Sequence, residues 1–395
     1  MKITRRSALR MFSAAIAAAA LPMRVAFAAG TGERRFVLII QRGGMDGLAG
    51  VPPYGDPSYA SARGGLAMPK PGEEGGVIAL DGTFGLHPAL APLLPLWQSK
   101  ELAVIHAVGL KGYDGRSHFD AQNLLETAAA TPRSRDDGWL NRTLPGLANL
   151  RDDSALAVGE SIPLVLQGKQ KVASWTPQVL PAADEDYLAR VARLYKDNPA
   201  LSGALKSALD IQGVANSSDM AGDRSQRNFA ELAKGAASIM KAPDGPRIAV
   251  IDISGWDTHA DQGLAQGRLA NALKQLADGV IALKTELGPI WSDTAIVIAT
   301  EFGRTVAQNG SKGSDHGTGG VAFALGGTVN GGRVYGDWPG LALGQLNEAR
   351  DLKITTDVNS VFKTALSDHM HFPKALIAAS VFGSPAIPMK GLFRA

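Results

Sequence analysis

Arg247-Ile-Ala-Val-Ile-Asp-Ile253 and Thr294-Ala-Ile-Val-Ile-Ala299 decide how this chain folds. Both are short apolar runs of the kind that forms a buried strand. Between them Leu269, Leu273, Leu276, Val280, Leu283 and Leu287 recur at steps of four and three, which is one face of a long helix. Gly288-Pro289 ends that helix. A third apolar run, Val321 to Leu325, follows. The polar residues gather where the strands stop. Gly255-Trp-Asp-Thr-His-Ala-Asp261 leaves the first, Thr300-Glu-Phe-Gly-Arg-Thr305 leaves the second, and Ser314-Asp-His-Gly317 precedes the third. An open α/β sheet binds its ligands at that edge.

Outward from this block the pattern repeats. Arg35-Phe-Val-Leu-Ile-Ile-Gln41 predicts a strand that runs into Arg42-Gly-Gly-Met-Asp-Gly47. The glycines allow close backbone approach there, and Asp46 reads equally as a turn cap. Leu102 to Val108 predicts another strand, with His106 as a core histidine. It leads into Gly112-Tyr-Asp-Gly-Arg-Ser-His-Phe-Asp120 and a helix from about Ala121. Ser117 lies at that helix's N-terminus, as an N-cap or as a nucleophile beside an anion site. Pro52 to Gly76 reads as a long surface loop, and Leu86 to Trp97 as helical.

The stretch at about 130–245 is expected to be a mostly helical insertion covering the ligand edge. It holds a strand at Ser161 to Leu166, helices at Asp184 to Lys206 and Asn228 to Lys241, and a polar loop at Asn216 to Arg227. Beyond Gly326 a short strand near Val334 and a helix from Asp357 to Ser367 are expected, with His369 and His371 as surface residues or ligands.

The first 28 residues read as a signal rather than as fold. Arg5-Arg6 precedes an apolar, alanine-rich stretch from Met11 to Leu21 and a small-x-small site at Ala26-Phe-Ala28. The paired arginines predict the twin-arginine route, hence a periplasmic or secreted chain with the twin-arginine translocase as its partner during export. No later stretch is long enough to span a bilayer. Removing residues 1–28 takes away five basic residues and no acidic one, so the formal net charge moves from +3 to −2. The pI of about 9.0 therefore belongs partly to the signal and gives no support for nucleic-acid binding. Cysteine is absent, which excludes disulfides, thiolate metal sites and cysteine nucleophiles.

Taken together, the turns offer Asp46, Ser117, Asp257, His259, Asp261, Glu301, Asp315 and His316 as ligands for divalent ions, one or two of zinc, manganese or magnesium. Two ions about 4 Å apart clamp an in-line displacement at phosphorus or sulfur. Arg42, Arg116 and Arg304 are candidates to hold the anionic oxygens of a small ester substrate, and His118 flanks Ser117.

Arg42-Gly-Gly-Met-Asp-Gly47, Arg116-Ser-His-Phe-Asp120, Gly138-Trp-Leu-Asn-Arg142, Asp257-Thr-His259, Thr300-Glu-Phe-Gly-Arg-Thr305 and Asp315-His-Gly317, behind a twin-arginine signal, resemble the exported bacterial domain-of-unknown-function family 1501. The similarity covers nearly the whole mature chain, residues 29–395. It implies a distant relationship to the alkaline phosphatase and sulfatase superfamily, with a three-layer α/β/α sandwich and two metals. In that scheme Asp46 takes the place of the first aspartate and Ser117 that of the nucleophile. Asp257 with His259 or Asp261 takes the Asp and nearby His, Glu301 the aspartate of the Asp-His pair, and His316 the last histidine. Phe302 stands where the pair's histidine would be and cannot bind a metal. Ser117 is followed by His-Phe-Asp-Ala, which lacks the formylglycine sulfatase signature. The resemblance therefore implies a phosphoester hydrolase with Ser117 as nucleophile and Arg116, His118 and Arg304 around it. The alternative is a catalytically degenerate relative that binds a glycan, envelope component or partner protein.

Overall fold

A computed structural model describes residues 34–177, 185–216, 229–378 and 385–394. The signal segment and most of the polar loop expected at Asn216 to Arg227 lie outside them. A mixed nine-stranded sheet runs through the middle. Its centre is β1 (Arg35–Gln41), with all seven residues buried. Eleven strands are numbered in chain order. β2 (Ile78–Ala79) and β3 (Gly85–Leu86) form a separate small hairpin. The sheet takes β4 (Leu102–Gly109), β5 (Ala155–Val158), β6 (Ala173–Trp175), β7 (Ile248–Ile253), β8 (Thr294–Thr300), β9 (Gly320–Leu325), β10 (Arg333–Tyr335) and β11 (Thr356–Asp357). The order is β10-β4-β9-β8-β1-β7-β5-β6, with β11 on β4. β1 lies parallel between β7 and β8, with Leu38 opposite Val250 and Val297.

Only β9, among the described strands of this sheet, runs against its neighbours. The carboxyl ends of β1, β4, β7 and β8 and the amino end of β9 therefore meet at one edge. The sequence places its polar turns there.

Seven helices are used below: α1 (Gly47–Gly50), α2 (His118–Thr127), α3 (Glu185–Tyr195), α4 (Pro199–Asn216), α5 (Phe229–Lys241), α6 (Arg268–Leu287) and α7 (Val358–Thr364). Side chains alternate across each strand. Phe36, Leu38 and Ile40 meet Trp139, Val361 and Phe362 on one face. Val37 and Ile39 meet Leu273, Leu276 and Val280 on the other. The result is the expected α/β/α sandwich. All six apolar positions of the predicted stripe on α6 are buried. Gly279 lets α5 and α6 approach, since a Cβ there would stand 2.1 Å from the Phe229 ring.

The insertion expected at about 130–245 is narrower than that. The stretch supplies β5 and β6 to the main sheet, and α5 packs on the sheet face beside α6. β5 and β6 have four and three residues, too few to show a period. Ser161 to Leu166 is not a strand; its last three residues form a 3₁₀ turn. The helix expected over Asp184 to Lys206 is two, α3 and α4. They break where the Asn198 side chain caps Ala200 and Leu201 ahead of Pro199. His369 is wholly buried, bonded to the Arg35 carbonyl and to Thr328, and is neither surface nor ligand. His106 is a core residue, bonded to the Val51 carbonyl. Among the described residues no helix is long and apolar enough to cross a membrane.

Candidate metal centre

Three loops press together at the sheet edge because two glycines permit it. A Cβ on Gly43 (φ 124°) would come 2.6 Å from the Asp257 amide nitrogen, and one on Gly44 (φ 70°) 2.6 Å from the Phe302 ring. Arg304 straps the loops together from beneath. Its guanidinium donates to the carbonyls of Gly44 (2.7 Å), Gly43 (2.7 Å) and Ser314 (2.6 Å) and to the Asp257 carboxylate. It is 1 % exposed, so it holds protein groups together and is not the open anion clamp expected from sequence.

Around Asp257 stand three imidazoles in one orientation. His118 gives Nδ1 to Glu301 Oε1 (2.8 Å), His316 gives Nδ1 to the Arg116 carbonyl (2.9 Å), and His259 gives Nδ1 to Asp315 Oδ1 (3.0 Å). Each Nε2 turns inward. From Asp257 Oδ1 the Nε2 of His259 is 3.0 Å and that of His316 3.4 Å, while His118 Nε2 is 3.6 Å from Oδ2. The Nε2 atoms of His259 and His316 are 2.9 Å apart. Ligand atoms of His118, Asp257 and His316 all lie within 4.8 Å of one another.

The protonation pattern follows from the outer partners. A backbone carbonyl only accepts, so His316 Nδ1 carries a hydrogen and its Nε2 a lone pair. Glu301 and Asp315 are both held below their ordinary carboxylate range. Burial pushes Glu301 up, but hydrogen bonds from His118, Gln122 and the Gly43 amide outweigh it. For Asp315 the leading cause is the Asn309 side-chain hydrogen bond. Both carboxylates therefore accept, so Nδ1 of His118 and of His259 donates outward, and each neutral ring turns the lone pair of its Nε2 toward Asp257. Asp257 is ionised as well: burial raises its pKa, and Arg304 overrides that. Three such lone pairs and a carboxylate facing each other repel until a proton or a metal cation sits among them. His118 Nε2 is buried with no hydrogen-bond partner. The donor set fits a divalent ion of borderline softness such as zinc, and a ligating histidine whose other nitrogen donates to a carboxylate or carbonyl is the usual outer-shell pattern.

Several residues expected here are engaged elsewhere. Asp46, 1 % exposed, accepts from Arg63 (2.6 Å), from Gln262 (2.7 Å) and from the Ala49 amide that it caps at the start of α1. It is an ion-paired cap, not a ligand. Glu301 is filled by donors, adding Gln122 (3.0 Å), the Gly43 amide (2.8 Å) and the Thr300 hydroxyl (3.0 Å) to His118. It orients His118 and is not turned to the trio. Asp315 does the same for His259. Asp261 is exposed, and its contact is the backbone bond to Ser311. The Arg42 guanidinium is held by Asp252 and Glu126, and that of Arg116 by Asp351 and Glu348. Both side chains are thus engaged by carboxylates of the protein itself. Ser117 caps α2, its hydroxyl 3.5 Å from the Asp120 amide.

Sequence reading missed Gln122, Arg63 and Gln262. Gln122 stands one helical turn after His118, a spacing that was the available signal. It also missed Asp252, whose pKa burial pushes up to about 6 against the pull of Arg42. Phe302 packs its ring 4.8 Å from that of His118 and 5.0 Å from that of His316, closing the trio on one side. A cavity of about 450 Å³ lies beside the centre, sharing Asp315 with it. Gln308, Asn309, Leu341, Leu346 and Arg350 contribute to its walls.

The profile of the family described as protein of unknown function (DUF1501) matches residues 105–380. A comparison with curated proteins returns no match. Among solved structures the fold is similar to the C-terminal periplasmic domain of EcEptC from Escherichia coli in complex with Zn. That match has 9 % identity and a TM-score of 0.43, over 86 % of this chain and 83 % of that one. It is also similar to the phosphonate monoester hydrolase of Agrobacterium radiobacter (13 %, 0.34, 86 % and 74 %). A cold-active alkaline phosphatase from Shewanella sp. is a further likeness (12 %, 0.31, 69 % and 70 %). At these scores the likenesses carry no activity to this chain. The family match spans well over half of the 395 residues, and the protein belongs to the DUF1501 family.

Proposed function

We propose that this protein is an exported, metal-dependent hydrolase of phosphate or related sulfate esters, working with one divalent ion rather than two. The observation that carries the reading is the convergence of three imidazole Nε2 atoms on Asp257, each fixed from behind by its own acceptor. A divalent ion in that donor set supplies Lewis acidity toward an ester oxygen. A second site lacks its parts, because Asp46 is tied to Arg63 and Phe302 occupies a ligand position.

The chain's own groups divide the remaining work. Glu301 keeps the Nδ1 proton of His118, and Arg304 keeps Asp257 ionised and in place. Asp257 and His259 are each nearly half exposed, so an anionic ester reaches them from solvent. Ser117 is the nucleophile in this reading. It precedes His118, and its hydroxyl accepts one long bond, leaving its proton free to go to a base. Attack by its oxygen breaks the ester bond and releases the alcohol; water then frees the phosphate and restores the serine. The cavity beside Asp315 takes the organic part of the ester.

Metal analysis of the purified protein tests the first half. One zinc equivalent per chain, absent from His316→Ala, supports the reading, and none in the wild type overturns it. The second half is tested with Ser117→Ala on a panel of phosphate monoesters, diesters and sulfate esters, where turnover should fall at least about a hundredfold. Undiminished turnover removes Ser117. Phe302 and the Arg63–Asp46 pair favour the second reading, a binding protein for a glycan, envelope component or partner. Stoichiometric zinc with no hydrolysis of any ester in the panel would point there.

A further inference from the structure

We infer that Arg116 is a positioning residue for His316, acting through its backbone carbonyl while its side chain holds that backbone in a conformation it would otherwise leave. The inference rests on the reading of His118, Asp257 and His316 as a metal centre. Arg116 sits two residues before His118 with φ +50°, in the left-handed region that residues with a Cβ avoid. Its carbonyl accepts from His316 Nδ1 at 2.9 Å, and that bond sets which way His316 Nε2 faces.

The side chain explains why the strained backbone persists. Nε donates to Asp351 Oδ2 at 2.8 Å, and Nη2 reaches the same oxygen at 2.7 Å and Glu348 Oε2 at 2.5 Å. Asp351 is a firm anchor, since it is wholly buried and Arg350 braces its other oxygen at 3.0 Å. Its backbone pairs with Thr305, the residue after Arg304, and Arg304 itself pairs with His316. A closed ring results, running from the His316 ring to the Arg116 carbonyl, along the Arg116 side chain to Asp351, through Thr305 and Arg304, and back to His316. Sequence reading gave the guanidinium to the substrate. Its Nε and Nη2 are already shared between two carboxylates, so the structure assigns it the tether instead. Cutting the tether lets residue 116 relax toward an ordinary φ, which re-aims the carbonyl and turns His316 out of register with Asp257.

The test measures zinc affinity by competition with a chromophoric chelator and records the visible spectrum of the cobalt(II)-loaded protein. Arg116→Ala should bind zinc about 10- to 100-fold more weakly and change the cobalt band positions, which report ligand geometry. Arg116→Lys should fall between, keeping a charge near Asp351 but not the fork. Arg116→Gly separates strain from tether: glycine meets no steric cost at φ +50°, so it should hold zinc more tightly than Arg116→Ala. Should Arg116→Ala not fold, Arg116→Lys carries the same two measurements. Zinc held equally by the wild type and Arg116→Ala, with identical cobalt spectra, overturns this inference alone. A wild-type chain that takes up no zinc overturns it together with the metal reading.

Discussion

Asp46 shows how one carboxylate can satisfy a motif and still be engaged elsewhere. In the sequence it follows a strand and two glycines, the position of a ligand. In the fold the guanidinium of Arg63, wholly buried, reaches it first. Arg63 lies in the stretch read as a surface loop, so nothing local in the sequence disclosed the pair. Breaking a buried pair from one side leaves the partner's charge unmatched, at about 3–5 kcal/mol. Asp46→Asn should therefore lower the urea midpoint markedly while zinc stoichiometry stays at the wild-type value; loss of zinc from the folded variant would return Asp46 to the ligand set. His118 makes a second prediction. Its hydrogen bond to Glu301 raises its pKa above the ordinary 6.5, with burial opposing. In the metal-free protein the protonated pair contributes stability that is fully present below 6.5 and is lost as pH rises through the raised value. Metal needs the neutral ring, so affinity runs the other way. Calorimetric titration should find zinc bound more tightly at about pH 8 than at about pH 6, with proton release. Equal affinity at both would remove His118 as a ligand.

Elements with a full period were legible and fragments were not. α6 gave itself away through six apolar residues on one stripe, and β1, β7 and β8 through runs buried on both faces. β5 and β6 add Ala155 to Val158 and Ala173 to Trp175; β6 pairs with β5, and β5 pairs with β7, whose residues lie about ninety positions further along the chain. The site followed the same rule. The turns holding Asp257, His259, Asp315 and His316 were found from strand ends, whereas the division between ligands and their supports depends on tertiary partners. Leu276 tests the element scale. It is 1 % exposed within the α6 stripe, and Leu276→Ala should cost about 2–5 kcal/mol in a denaturant melt, against almost nothing for a substitution at exposed Lys274 on the opposite side. A cost below about 1 kcal/mol would mean the helix is not packed as described.

Over the whole molecule, the centre is gathered from turns after β1, β4, β7 and β8 and before β9, so it exists only once the sheet is complete. Such a protein suits a route that moves folded chains, as its paired arginines predict. Replacing Arg5 and Arg6 by lysine should hold the full-length precursor in the cytoplasm on fractionation; continued export would place it on another route. The reversal of β9 has its own consequence. Residues 301–319 leave the sheet and rejoin it at the same rim, making a lobe that carries Arg304, Asn309, Asp315 and His316, with its outermost point at the exposed Gly310–Lys312. That point is also a clasp, because the Ser311 and Lys312 carbonyls accept from the Asp261 and Gln262 amides on the turn that carries Asp257 and His259. A graft there would shift both turns together, so the width of the approach and the aim of the ligands would change as one.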